Sequence, residues 1–246
     1  MAKAFTFSRR QVMEEIAALT GGRCLLAFSR GRDSIATYLV LKESGLFHDI
    51  RLFHLDGPPG MAFVEESLQY FEDKFGCHIY RLTHPSFLRM LGNNLFQPPE
   101  RVQVIRSLRL HECTRITYND IRIWLAEDFG WPEAETWVAT GVTMFDSGRR
   151  RIHITKGRAR TMSSQQFFPV FDMHRKDMLK LIAKHNIELP IDYQLWRRSF
   201  DGIDARFTGP LRDHLPDDYK VLLEWFPLAD LDLMRQDMMK KDVPNG

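Results

Sequence analysis

The stretch Cys24-Leu25-Leu26-Ala27-Phe28-Ser29-Arg30-Gly31-Arg32-Asp33-Ser34-Ile35-Ala36 constrains this chain more than any other. A short apolar run ends in Ser-x-Gly-x-Asp-Ser, and a helical pattern follows at once. That is the layout of a strand, a tight polar loop and a helix N-terminus. Such a corner gathers backbone N–H groups and the positive end of a helix dipole, which suits phosphate oxygens. Gly31 has no side chain and allows close backbone approach. Ser29 and Ser34 supply hydroxyls, and Arg30 and Arg32 add positive charge. Asp33 is a carboxylate of the kind that holds Mg²⁺ against phosphate oxygens. The bland alternative is an ordinary turn capped by Ser29 or Asp33. Neither a Walker A spacing nor a G-x-G-x-x-G fingerprint is present.

The flanking pattern predicts a doubly wound, mostly parallel α/β sheet flanked by helices. Ser8 with Gln11 reads as a capping box, followed by an apolar face through Val12, Ile16 and Leu19 and a stop at Gly21-Gly22. Strands are expected at 23–28, 50–55 and 78–82, with helices from Ile35 to Gly45 and from Met61 to Phe75. Strands alternating with helices pair in parallel through right-handed crossovers, and ligands then sit beyond the carboxyl ends of the strands. Asp56 ends the second strand at such a position. Further on, 92–109 with Pro98-Pro99 reads as a long loop or flap. A helix over 114–129, a strand over 136–142, a basic stretch from Arg149 to Arg160 and a helix from His174 to His185 follow. A last long helix is expected from Asp217 to Lys240, broken at Pro227. The division drawn is a nucleotide-binding α/β domain over 1–190 with a flexible insert near 92–110, and a helical C-terminal extension over 191–246.

With 34 Lys+Arg against 32 Asp+Glu, net charge alone points to no polyanion and no membrane surface. Transmembrane-length apolar runs and a secretory leader are absent from the pattern, so a cytoplasmic protein without a membrane partner is expected. The three cysteines, Cys24, Cys77 and Cys113, are widely spaced and form no C-x-x-C pair. The run from Arg149 to Arg160 holds six basic residues and no acidic one, and phosphate or nucleic-acid contact is one reading of it. A solvated charged face is the other.

The ordered segments resemble the phosphoadenosine phosphosulfate reductase family of the adenine nucleotide alpha-hydrolase, or PP-loop ATP pyrophosphatase, superfamily. Ser29–Ser34 is similar to its pyrophosphate loop. His54-Leu55-Asp56-Gly57, Cys113-Thr114-Arg115, the segment from Gly141 to Arg150 and Phe168-Pro169-Val170-Phe171-Asp172-Met173 match later family segments in order, over roughly Arg23 to Leu211. The resemblance implies ATP and Mg²⁺, cleavage between the α- and β-phosphates, and adenylation of an acceptor. It implies nucleotide contacts from Ser29, Arg30, Gly31, Arg32, Asp33, Ser34, Asp56 and Gly141. The metal falls to Asp33, and stabilisation of the leaving pyrophosphate to Arg149 or Arg150.

Two departures matter. Arg30 stands where ATP-using relatives carry a second glycine. No cysteine follows Cys113, so the thiolate that sulfonucleotide reduction requires is missing, and reductase activity is rejected. An iron–sulfur cluster is set aside on the number and spacing of the cysteines. The acceptor is left open among a nucleobase, a tRNA, a carboxylate and a modified nucleotide. The rival reading is a nucleotide-binding module without turnover, tied to nucleic-acid processing. Whether a second copy or a partner protein binds stays open.

Overall fold

The computed structural model describes residues 7–241. It is an α/β protein whose six strands form one sheet in the order β3-β2-β1-β4-β6-β5. The entry to β1 (Arg23–Ala27) is α1 (Arg9–Thr20). Ser8 caps α1 as expected. Its hydroxyl accepts from the Gln11 N–H at 3.2 Å, and the Gln11 side chain accepts from the Ser8 N–H at 2.8 Å. Gly21 and Gly22 end the helix at φ +60° and +75°, conformations open to glycine at little cost.

β1 is followed by α2 (Arg32–Ser44), β2 (Asp49–Asp56), α3 (Ala62–Phe75) and β3 (Ile79–Thr83). Cys24, Leu25 and Leu26 are fully buried, as expected for a strand covered on both faces. Each such leucine contributes roughly 1.5–3 kcal/mol of burial. β1 pairs in parallel with β2 on one edge and with β4 (Val138–Ala139) on the other. Strand order therefore reverses at β1, since β2 and β3 lie on one side and β4, β6 and β5 on the other.

The middle departs from expectation. α4 (Pro85–Gly92) leads into the stretch read as a loop near 92–110, and α5 (Pro99–Ser107) occupies most of it. Pro99 is the first residue of α5, where the missing N–H costs nothing and the fixed φ favours the helix. α6 (Tyr118–Asp128) starts later than expected, at a capping box of Thr117 and Asp120. β4 has two residues where seven were expected. Upstream of it the chain is turned aside. The Thr136 hydroxyl donates to the Pro132 carbonyl at 2.9 Å, and Arg122 donates to the Thr136 carbonyl at 3.3 Å. The basic stretch is mostly a helix, α7 (Gly148–Gly157), capped by Ser147. β5 (Arg160–Thr161) runs antiparallel to β6 (Gln166–Phe167), which pairs in parallel with β4. α8 (Arg175–Lys184) follows, then α9 (Asp192–Leu195), α10 (Ala205–His214), α11 (Pro216–Trp225) and α12 (Asp230–Lys241). α10 was not foreseen, because Pro210 and Gly209 break the sequence pattern that would have marked it.

The chain divides into two compact units. The first comprises the described residues up to His54, Glu72–Arg81 and Thr117–Leu189. The second comprises Leu55–Phe71, Leu82–Ile116 and the described residues from Pro190 on, so it takes in the 92–110 segment as well as the C-terminal region. Within the second unit, the rings of Phe63, Trp196, Phe200 and Phe207 form one cluster with centroid separations of 5.3–6.0 Å. Trp225 packs edge-on against Phe87 and stays 37% exposed. The buried Asp218 carboxylate accepts from the Ala62 N–H and caps the start of α3. No helix among the described residues is long and apolar enough to cross a membrane.

In the first unit, Glu72 ties the end of α3 to β3. It accepts from the Ile79 N–H at 2.7 Å and from Arg81 at 2.5 and 3.0 Å. The Arg81 guanidinium, then the Ile79 N–H, hold the Glu72 carboxyl below its ordinary value against an opposing push from burial. A carboxyl lowered in the fold adds stability above its unfolded value and loses it as pH falls through the folded one. Glu72→Gln should therefore lower stability by about 2 kcal/mol at pH 7. In thermal melts, its gap to the parent should close as pH drops below about 4.5, the ordinary glutamate value. A gap that stays constant down to pH 3 would deny the charge any part.

Candidate functional site

The loop Ser29–Ser34 leaves β1 and opens α2. Arg30 sits at φ +61°, the left-handed region that favours glycine, and its side chain is buried with 2% exposure. A non-glycine residue there stores about 1 kcal/mol or more of strain. Gly31 is the N-cap of α2 and supplies no side-chain cap. The first N–H groups of a helix have no intrahelical acceptor, so this helix start presents donors rather than hiding them.

The side chains are partly engaged with one another. The Ser29 hydroxyl donates to Ser34 Oγ at 3.2 Å, and the Ser34 hydroxyl donates to the Gly31 carbonyl at 2.9 Å. Arg32 Nε lies 2.7 Å from Asp33 Oδ1, an ion pair of two partly exposed groups. The Thr37 hydroxyl donates to the Asp33 carbonyl at 2.7 Å and secures the first turn. The expected roles of Ser34 in phosphate contact and of Asp33 at a metal would require these contacts to be shared or exchanged.

Gly141 is brought to this loop from the other side of the sheet. A Cβ built on it would lie 2.8 Å from the Asp33 carbonyl carbon and 3.0 Å from its Cβ and oxygen. Only glycine lets the end of β4 press against the first turn of α2. Next to it, Thr140 Oγ1 is buried and has no hydrogen-bond partner among the described residues. Sequence reading missed Thr140, because a threonine ending a strand carries no signal of its own.

The remaining expected residues stand on other elements of the chain. Asp56 ends β2 in the second unit, and its carbonyl accepts from the His84 N–H at 2.7 Å. Arg149 and Arg150 are exposed on α7. Arg150 pairs with Asp146 at 2.6 Å. Arg149 lines a separate open cleft of about 660 Å³, to which no residue of Ser29–Ser34 contributes. Cys24 is fully buried in β1, and desolvation, then the Asp49 charge, pushes its thiol far up, which makes it inert. Cys77 is half-buried and its thiol is pushed up by burial. Cys113 lies in the second unit on a 3-10 segment, Leu110–Arg115.

No family model matches the chain. It is similar to the dual-specificity RNA pseudouridine synthase RluA of Vibrio cholerae, at 30% identity over 115 residues. That match spans 45% of this chain and 40% of the length of that protein. Among solved structures, it is similar to the U34-tRNA thiolase NcsA of Methanococcus maripaludis with its [4Fe-4S] cluster. The TM-score is 0.43 and the identity 13%, covering 91% of this chain and 80% of that one. The cofactor assignment of ATP with Mg²⁺ and no iron–sulfur cluster is corrected here. That thiolase structure is the finding against the exclusion, since it carries a [4Fe-4S] cluster of its own. Among the described residues, no group of three or more His, Cys, Asp or Glu is arranged to hold a metal ion.

The fit of Gly141 against Asp33 is testable by itself. Gly141→Ala should cost about 1–3 kcal/mol in thermal or urea unfolding, since backbone must shift to admit the methyl. Gly148→Ala is the matched control, because its Cβ meets nothing within 4 Å. Equal stability of the two variants would show that the β4 end does not press on α2.

Proposed function

We propose that this chain is an adenine-nucleotide-binding enzyme of the PP-loop kind, which cleaves ATP between the α- and β-phosphates and passes the adenylyl group to an acceptor. The observation that carries this reading is topological. The loop Ser29–Ser34 lies at the point where strand order reverses, beyond the carboxyl ends of β1 and β4. Open α/β sheets bind ligands at that switch point. The glycine N-cap of α2, the close Gly141 backbone and the buried Thr140 hydroxyl support a phosphate there.

Magnitudes limit what the loop does alone. An exposed helix N-terminus contributes about 0.3–1 kcal/mol toward one anionic charge. Micromolar affinity needs about 8 kcal/mol. Ribose and base contacts must therefore supply most of the binding, and the loop orients the phosphates. In this reading Arg32 stands between the Asp33 carboxylate and the phosphates, and Arg30 and Arg32 offset the phosphate charge. Asp56 is assigned to the nucleotide as well.

The acceptor we propose is a base in RNA. The relative aligned over 115 residues at 30% identity is named for action on RNA, and the basic α7 supports a polyanionic partner. A second reading, binding without turnover, is favoured by one observation: Asp33 is already paired with Arg32.

The decisive assay follows release of pyrophosphate from α-³²P- and γ-³²P-labelled ATP with and without total RNA, next to nucleotide binding by calorimetry. The enzyme reading expects AMP-containing product and pyrophosphate, reduced about 100-fold in Asp33→Ala. Binding without products supports the second reading. No binding of ATP, ADP or AMP at millimolar concentration would end both.

A further inference from the structure

Helix α7 and the β5 segment enclose an open cleft of about 660 Å³ that the nucleotide reading does not use. Arg149, Ile152, His153 and Lys156 line one wall. They recur at i, i+3, i+4 and i+7, which is one face of a helix. Arg160 and Met162 lie on the other. The His153 ring nitrogen lies 2.8 Å from the Thr161 hydroxyl and ties the two walls together. Ile154, on the opposite side of α7, is fully buried and anchors the helix beside Phe168 and Phe171.

The charges in this region divide into two groups. Arg158 and Arg160 share Glu15, at 3.1 and 2.5 Å, and Arg150 pairs with Asp146. Arg149, Arg151 and Lys156 have no carboxylate partner among the described residues, and of these Arg149 and Lys156 face the cleft. Two exposed apolar side chains also line the cleft, Ile152 at 58% exposure on the α7 wall and Met162 at 65% on the other. A purely solvated face has no need of exposed isoleucine and methionine. An acidic peptide would use the cations and leave the apolar pair unfilled.

We propose that the α7–β5 cleft docks single-stranded RNA, with Arg149 and Lys156 on successive phosphates and Ile152 and Met162 against the face of an unstacked base. The spacing supports this occupant. Residues 149 and 156 lie two helical turns apart, about 10.5 Å along the axis. The long, flexible Arg149 and Lys156 side chains can converge from that span onto successive phosphates of a single strand. A duplex keeps its bases stacked inside and offers no face to the apolar pair. The choice of RNA rests on the acceptor reading above. The site itself is separate from the Ser29–Ser34 loop, so the two can fail independently.

The test is fluorescence anisotropy with a labelled 12-nucleotide oligo(U), titrated against the full chain at several salt concentrations. The parent should bind, with affinity falling steeply as salt rises. Arg149→Ala with Lys156→Ala should lower affinity at least about tenfold at low salt and flatten the slope by about 1.4, the share of two phosphates on a single strand. Ile152→Ser with Met162→Ser should weaken binding about threefold or more while leaving the slope unchanged, which only an apolar base contact predicts. Arg10→Ala, an exposed cation on α1, should change neither. Three results would overturn the proposal: no binding by the parent, double variants that bind like the parent, or tighter binding of polyglutamate or oligo(dT) than of oligo(U). Asp33→Ala should bind oligo(U) as the parent does. If it loses pyrophosphate release and keeps RNA binding, the cleft stands by itself. If the parent releases pyrophosphate but binds no RNA, only the cleft proposal falls.

Discussion

β1 is hydrogen-bonded along both edges, and the position of the candidate site follows from that. With β2 on one side and β4 on the other, the crossovers leave β1 in opposite directions across the sheet. A crevice then opens beyond its carboxyl end as a consequence of topology rather than of any motif. The chain places its most polar and most glycine-dependent corner there. Burial of Leu25 and Leu26 on the sheet holds the strand, and the Gly141 backbone sets how closely the neighbouring strand end approaches α2. A residue with a Cβ at 141 would move the helix start and with it every donor in the loop.

This architecture was legible in the sequence where the determinants are local. The Ser8–Gln11 box, the glycine stops, the apolar β1 and the amphipathic α3 are each set by neighbours within a few residues, and all lie close to where their patterns put them. The misses have non-local causes. Pro98-Pro99 carries one signal for a turn and another for a helix start, and only the fold selects the second. β4 is shortened by Arg122 and Thr136, whose partners are 11 and 4 residues away in chain but set by packing. The second unit draws on three separated stretches, and no window of sequence reports such an assembly.

The candidate site was legible in part. The loop sits where the pattern expected it, and Gly141, named only through a family resemblance, has a direct steric role against Asp33. The internal hydrogen bonds of Ser34 and the Arg32–Asp33 pair could not be read from spacing, because they depend on which rotamers the turn allows. They also set a condition on any ligand. A phosphate must compete with a partly exposed guanidinium for the environment of Asp33, and the two negative groups cannot approach without a cation between them. Arg32 already stands beside Asp33 and can shift from the carboxylate to the phosphate, its planar fork being suited to either.

The basic run shows how far a charge count can mislead in both directions. Six cations within Arg149–Arg160 suggest a strong polyanion site, yet three ion pairs, two of them to Glu15, would reduce that field if counted alone. The geometry decides the matter residue by residue. Arg150, Arg158 and Arg160 are held by Asp146 and Glu15, while Arg149 and Lys156 project on the face that carries Ile152. Exposed ion pairs contribute at most about 1 kcal/mol each, so they position the walls more than they stabilise the fold. What lines the cleft without an ion pair is a pair of cations two turns apart with Ile152 between them on the same helix face. That arrangement fits a chain alternating charge and flat hydrophobic surface, which is the repeating chemistry of a single-stranded nucleic acid.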